Sequence, residues 1–438
     1  MDGDFRNDIE IGLDPADRQA WAERFLEVRR ATEALASGLS PEDQAIQSMP
    51  DVSPTKWHLA HTSWFFETFL LAPKLGGYEV FHPAFGYLFN SYYEAVGPRH
   101  PRHQRGLISR PSVAEIAVYR EAVTEAMVRL IGAADAETWQ IVFPLLELGI
   151  HHEQQHQELI LMDIKHVFFA NPLRPHYQTR PAAAVQSAEA TAEWIEFPGG
   201  LVEIGYAGNR FSFDNEKPRH RTWLDPYRLA SRLVTCGEFL SFVDDGGYRR
   251  PELWLSDGWA TIEKESWEAP LYWERNPEGL WDVFTLSGMM PLNESEPVCH
   301  VSYYEADAFA RWSGKRLPTE AEWEIAATGV SPKGNLADSG ILHPAASPAQ
   351  GGALQQMIGD VWEWTMSAYG AYPGFRAAEG AIGEYNGKFM SSQMVLRGGA
   401  AVTPPGHIRI SYRNFFPPSA RWAFSGLRLA DGSLADGP

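Results

Sequence analysis

Apolar residues recur with a period near 3.6 from about residue 137 to 169, which predicts one long amphipathic helix. A helix of that length cannot bury its apolar stripe alone, so it requires helical partners. Segments near 17–38, 53–73 and 112–133 carry the same period, with Pro or Gly breaks between them. The architecture expected for residues 17–170 is therefore a four-helix bundle, in which facing helices commonly build metal sites. Ser53 followed by Pro54 reads as a helix N-cap with proline in the first turn.

Inside the long helical pattern lies Gly149-Ile150-His151-His152-Glu153-Gln154-Gln155-His156-Gln157-Glu158. His152 and His156 are one turn apart on one face, where two imidazoles can reach one metal ion. Read literally, His152-Glu153-x-x-His156 is also the zinc-protease pattern, with Glu153 as general base. At roughly 100° per residue, Gln155 lies about 60° from His152 and shares its face. Glu158 is roughly 240° round from His152, so a two-His-one-carboxylate site cannot come from this helix alone. The third ligand must come from elsewhere, and the upstream run Trp57-His58-Leu59-Ala60-His61 offers two histidines. Spacing alone does not separate His58 from His61.

The second half has a different texture. Residues 171–193 contain Pro172, Pro175 and Pro181 and an Ala/Ser/Gln-rich run, and read as a linker. From about Trp194 to residue 431 short strand-like pieces alternate with Gly, Trp and turn residues, and one clear helix spans Ser302 to Ser313 before Gly314. The whole chain is expected to be α+β, a helical bundle followed by a strand-rich domain. A net charge of −19 argues against nucleic acid and anionic membranes as partners. No basic-then-apolar leader follows Met1 and no apolar run approaches membrane-spanning length. With two cysteines, Cys236 and Cys299, and no CxxC, the expectation is a cytoplasmic protein needing no disulfide.

Both halves resemble known proteins. Trp57-x-Leu59-Ala60-His61 with His152-x-x-x-His156-x-Glu158 is similar to the DinB-like iron-binding bundle of the ergothioneine-biosynthetic sulfoxide synthases. The second half resembles the C-type-lectin-like domain of formylglycine-generating enzymes. It does so through Gly199-Gly200-x-Val202-x-Ile204-Gly205, Asn215-Glu216-x-Pro218, Pro297-Val298-x-x-Val301-Ser302 and Arg316-Leu317-Pro318-Thr319-Glu320-Ala321-Glu322-Trp323-Glu324. Gly359-Asp360-Val361-Trp362-Glu363-Trp364, Leu396-Arg397-Gly398-Gly399 and Gly426-Leu427-Arg428 continue the likeness, which spans about residues 50 to 430. Formylglycine generation uses a cysteine pair late in the domain, and no cysteine follows Cys299, so that activity is not expected.

The resemblance implies a non-haem iron(II) enzyme whose ligands are His61, His152 and His156, with about three positions open to substrates and dioxygen. The implied reaction joins hercynine to L-cysteine using O2, forming a C–S bond at imidazole C2 together with sulfoxidation. By the same likeness Gln155 contacts the histidine-derived substrate and Asn414 binds its polar end. Phe415 stands where the family has tryptophan, an aromatic face for the trimethylammonium group. Phe416 replaces the aspartate of relatives that use γ-glutamylcysteine, which points to free cysteine as the donor. Tyr92-Tyr93 matches a tyrosine pair near the iron in the cysteine-using branch, and a phenol can supply a proton. In the basic cluster that follows, Arg102 is assigned to the cysteine carboxylate and Asp51 to its ammonium group. Alternatives are γ-glutamylcysteine as donor, an ovothiol-type synthase acting on unmethylated histidine, and a lectin-like binding protein without catalysis.

Overall fold

The computed structural model describes residues 13–179, 191–347 and 353–432; residues 180–190 of the expected linker lie outside them. The chain forms two compact units. One holds the described residues up to Tyr177 together with Ala377–Tyr385, and the other holds Gln178–Arg376 and the chain from Asn386 on. The short segment Ala377–Tyr385 thus joins the helical unit although it lies far downstream in sequence.

In the helical unit the long helices are Arg18–Ala36, Thr55–Phe66, Val113–Ala133 and Ala136–Ala170. Asp17, Ser112 and Asp135 cap three of them by accepting main-chain N–H bonds from the first turn. The expected Ser53 cap is not made. Pro54 occupies the cap position, and Ser53 instead points into the bundle, donating its N–H to Asp163 and accepting from Arg105. The Thr55–Phe66 helix continues through a π-helical turn, Glu67–Leu71. There the Glu67 carboxylate accepts from the Tyr78 and Tyr119 hydroxyls, at 2.7 Å each, and from the Phe81 N–H. Trp21, Phe25, Phe65, Phe66, Met127, Leu146 and Ile150 fill the core.

Gly149 permits a close approach of the Ala136–Ala170 helix to Phe65 and Phe66. A Cβ there would lie 2.8 Å from Phe66 Cζ and 3.0 Å from Phe65 Cε1. This contact precedes His152 by one turn, and the Phe65 ring in turn lies 4.8 Å from the His152 ring.

The second unit is α+β. A four-stranded sheet runs Asn414–Phe416, Met394–Arg397, Trp362–Ala368 and Ser425–Gly426, antiparallel except for its last pair. Two three-stranded sheets and the two-stranded pair of Gly200–Ile204 with His220–Leu224 complete it. The helix Tyr303–Trp312 has Ser302 as its cap, close to expectation, and Cys236–Asp244, Ser256–Glu265 and Glu320–Ala326 add three that the strand-like texture concealed. The recurring motifs of this half prove to be its scaffold. Arg428 pairs with Glu363, Arg397 with Glu320 and Glu324, Arg413 with Glu320 and Arg316 with Glu322. Gly359 adopts φ +85 and its Cβ position lies against the Asn335 backbone, so glycine is required. Cys236 and Cys299 are buried free thiols. Among the described residues no helix is long and apolar enough to cross a membrane.

Candidate metal centre

Three imidazoles converge where the Thr55–Phe66 and Ala136–Ala170 helices face each other. One ligand atom each from His61, His152 and His156 lies within 4.8 Å of the others, and all three residues are buried. Among the described residues this is the group with metal-site geometry. His61 Nε2 and His152 Nε2 stand 3.2 Å apart. His61 Nδ1 donates to the Phe89 carbonyl at 2.6 Å, which leaves its Nε2 as a lone pair facing the cluster.

Electrostatics keep the cluster neutral. Burial, then the neighbouring His152, holds the His61 pKa well below the usual imidazole value. Burial lowers His152 to about 3, and burial with the adjacent histidines lowers His156. Three neutral imidazoles whose ring nitrogens converge in this way suit a borderline divalent cation. The residues present therefore fit a metal ion.

Aromatic rings fix His61. Trp57 and Trp64, one turn before and after it, lie nearly parallel to its ring at 4.6 and 5.4 Å. The Arg105 guanidinium covers Trp57 at 3.4 Å. His58, the other candidate, sits one layer back: its Nδ1 is 2.8 Å from His156 Nδ1 and its Nε2 is 3.0 Å from Asp163. His61 is thus in the cluster and His58 supports it.

Glu153 is not placed as a base. Its carboxylate is buried and receives Arg29, Arg120 and Thr32. Burial pushes its pKa up, but Arg120 and Arg29 and these hydrogen bonds outweigh that and bring it down to about 2. A carboxylate held this strongly ionised and fully paired cannot collect a proton near neutral pH, so the protease pattern is fortuitous.

Gln155 shares the histidine face as its angle predicts, and its amide oxygen accepts from the Tyr385 hydroxyl. The Tyr385 ring also lies 5.6 Å from the His152 ring and 6.2 Å from the Tyr92 ring. The Tyr92 and Tyr93 rings lie 4.6 Å apart and tilted to each other, and Tyr93 is buried against Trp64 and Phe69. Burial, then Tyr92 and Tyr385, raises the Tyr93 hydroxyl pKa well above its ordinary value. No motif in the sequence marks Tyr385. Its neighbour Glu384 holds it in place by accepting from the N–H groups of Glu94 and Ala95, directly after the tyrosine pair.

Arg102 and Asp51 are exposed, and Arg102 donates to the Asp51 main-chain carbonyl. The buried guanidinium of that basic cluster is Arg105, which sequence reasoning passed over. Among the described residues its partners are the Ser53 and Ser91 hydroxyls rather than a carboxylate. In the second unit Asn414, Phe415 and Phe416 form one edge strand. Phe415 stacks on Tyr369 at 4.1 Å, and Phe416 meets Trp422 edge-on at 5.6 Å.

Residues 24–160 match the DinB superfamily, and residues 180–349 and 344–432 match the sulfatase-modifying factor enzyme 1-like domain. The family matches and the relatives define a two-domain oxygenase in which a DinB-type bundle carries the three clustered histidines. The chain is 33% identical over 409 residues to a hercynine oxygenase of Mycolicibacterium thermoresistibile, spanning 87% of this chain and 88% of that relative. It is 32% identical over 404 residues to the hercynine oxygenase of Mycobacterium tuberculosis, spanning 87% and 91%. A formylglycine-generating enzyme of Streptomyces coelicolor is 28% identical over 313 residues, spanning 59% of this chain and 96% of that relative. This chain belongs to the hercynine oxygenase family.

Proposed function

We propose that the protein is an iron(II)-dependent sulfoxide synthase that joins hercynine to L-cysteine with O2, giving S-(hercyn-2-yl)-L-cysteine S-oxide for ergothioneine biosynthesis. The observation that carries this reading is the buried, neutral His61–His152–His156 cluster in a chain of the hercynine oxygenase family. Iron(II) held by these three residues would activate dioxygen and lower the pKa of a bound thiol. The reaction balances as one C2–H and one S–H exchanged for a C–S bond, with one oxygen atom on sulfur and the other leaving as water.

The protein's own groups then orient and protonate. Gln155, itself oriented by Tyr385, contacts the imidazole of hercynine. Tyr385 is the proton donor in preference to Tyr92 or Tyr93, because its ring touches a ligand histidine while Tyr93 packs behind Trp64. The cysteine carboxylate goes to Arg105, a buried guanidinium paired with hydroxyls, rather than to the exposed Arg102. Asp51 remains the candidate for the cysteine ammonium. Asn414 and the aromatic face of Phe415 keep the roles that the family resemblance assigns them toward hercynine. Phe416, packed on Trp422, supports cysteine over γ-glutamylcysteine because it offers no partner to the longer donor's ammonium.

Mass spectrometry of products from hercynine with either donor under air tests the reading. Expected is the cysteine sulfoxide conjugate, with iron in the protein and oxygen consumed. A conjugate formed with histidine at C5 would make the enzyme ovothiol-type, and an iron-free protein that consumes no oxygen would make it a binding module.

A further inference from the structure

We infer that His58 and Asp163 act as positioning residues that set the tautomer of His156, and so decide which of its nitrogens is offered to the metal. The inference rests on the metal reading of the three-histidine cluster. The chain of contacts runs from Asp163 Oδ2 to His58 Nε2 at 3.0 Å, and from His58 Nδ1 to His156 Nδ1 at 2.8 Å. All three side chains are buried.

Hydrogen positions along this chain follow from its far end. Asp163 Oδ2 also accepts the Ser53 main-chain N–H at 2.7 Å, a bond that fixes this oxygen as an acceptor. A neutral His58 therefore carries its single ring hydrogen on Nε2 and donates it to Asp163. Its Nδ1 is then a lone pair, and the 2.8 Å contact forms only if His156 donates from Nδ1. The remaining nitrogen of His156, Nε2, is left unprotonated for the metal. The reverse pattern would set a bare His58 Nε2 against a carboxylate and put a hydrogen on His156 Nε2, blocking it as a ligand. Outer partners that hold a ligating histidine in this way typically raise metal affinity substantially.

The same result is reached differently at His61, whose Nδ1 donates to the Phe89 carbonyl. A carbonyl is an acceptor by nature, whereas a neighbouring imidazole can be either. Hence a second residue, Asp163, is needed to commit His58. The spacing agrees: Asp163 falls seven residues after His156, so the two share a helix face. His58 falls three before His61 and is one turn away from it.

The test uses Co(II) alone as probe, read by its visible absorption, together with 15N NMR of histidine-labelled, metal-free protein. In the wild-type protein His58 should appear as the Nε2–H tautomer and His156 as the Nδ1–H tautomer, assigned by the loss of the His58 signals in His58→Asn. The opposite tautomers would overturn the inference without any variant having to fold differently. His58→Phe and Asp163→Leu should each weaken Co(II) binding by about 10–100-fold. His58→Asn and Asp163→Asn keep an acceptor oxygen in the same place and should recover most of the loss. Wild-type affinity in His58→Phe and Asp163→Leu, or no recovery in the asparagine variants, would show that the contacts merely fill space. A wild-type protein that binds no Co(II) would instead remove the metal reading, while the tautomers in the metal-free protein would still be measured.

Discussion

The Tyr385 hydroxyl donates to the amide oxygen of Gln155, joining residues 230 positions apart. Gln155 precedes His156 of the three-histidine cluster, and Tyr385 sits on the Ala377–Tyr385 segment that packs with the helical unit. One hydrogen bond therefore links the Gln155 amide to the phenol beside His152.

Tyr385→Phe removes that hydroxyl and keeps the ring against His152. Loss of a positioned proton donor should lower kcat for C–S coupling by about 10²-fold or more. Turnover should shift toward plain oxidation of cysteine to its sulfinate, read as the product ratio by mass spectrometry. Tyr93→Phe should leave that ratio nearly unchanged; the reverse ranking would return the role to the Tyr92–Tyr93 pair.

Glu153→Gln should act on stability and not as removal of a base. Breaking a buried pair by removing one partner costs about 3–5 kcal/mol, here because Arg29 and Arg120 lose their counter-charge. The pH dependence follows from the sign of the shift. The Glu153 pKa is about 2 in the folded protein, down from 4.5, so its contribution is fully present above pH 4.5 and disappears as pH falls toward 2. Denaturant titrations across that window should show this acid loss in the wild type and lack the Glu153 component in the variant.

Gly149→Ala should destabilise the helical unit, although alanine favours helix by about 1 kcal/mol over glycine. The added methyl enters the space of Phe66 and Phe65, and overpacking costs typically 1–3 kcal/mol. The displaced Phe65 ring borders His152, so iron content should fall together with Tm. An unchanged or higher Tm would mean that the rings yield without strain.

Substrate binding should separate by residue. Arg105→Leu should raise KM for cysteine by about 10-fold or more, as expected for a lost charge-assisted bond of about 1.5–3 kcal/mol. Asn414→Ala should raise KM for hercynine and leave that for cysteine nearly unchanged. Steady-state oxygen uptake with each substrate varied in turn measures both, and equal effects on both substrates would remove the assignment of the residue concerned.

Much of the helical unit was legible because its signals are local. The 3.6-residue period located its long helices, and the one-turn spacing of His152 and His156 placed them on one face. The likeness to the sulfoxide synthases named His61, but the periodicity itself left His58 equally placed, since both lie on a single turn. The choice depends on what faces each ring: His61 meets His152, 91 residues away, and His58 meets Asp163, 105 residues away.

The same limit explains two local signals that the fold does not follow. The protease-like Glu153 and the cap-like Ser53 follow local rules, yet their partners are Arg29 and Arg120 for the first and Asp163 and Arg105 for the second. Sequence alone determined where the long helices of the first unit run, where the chain changes texture and which histidine pair could meet one metal ion, because backbone periodicity records these within a few turns. The tertiary structure alone showed what faces His61 and His58, which carboxylate is neutralised, and which phenol and guanidinium lie close by. Those choices are made by burial and pairing between distant segments, where the cost of leaving a charge or polar atom unpaired selects the partner.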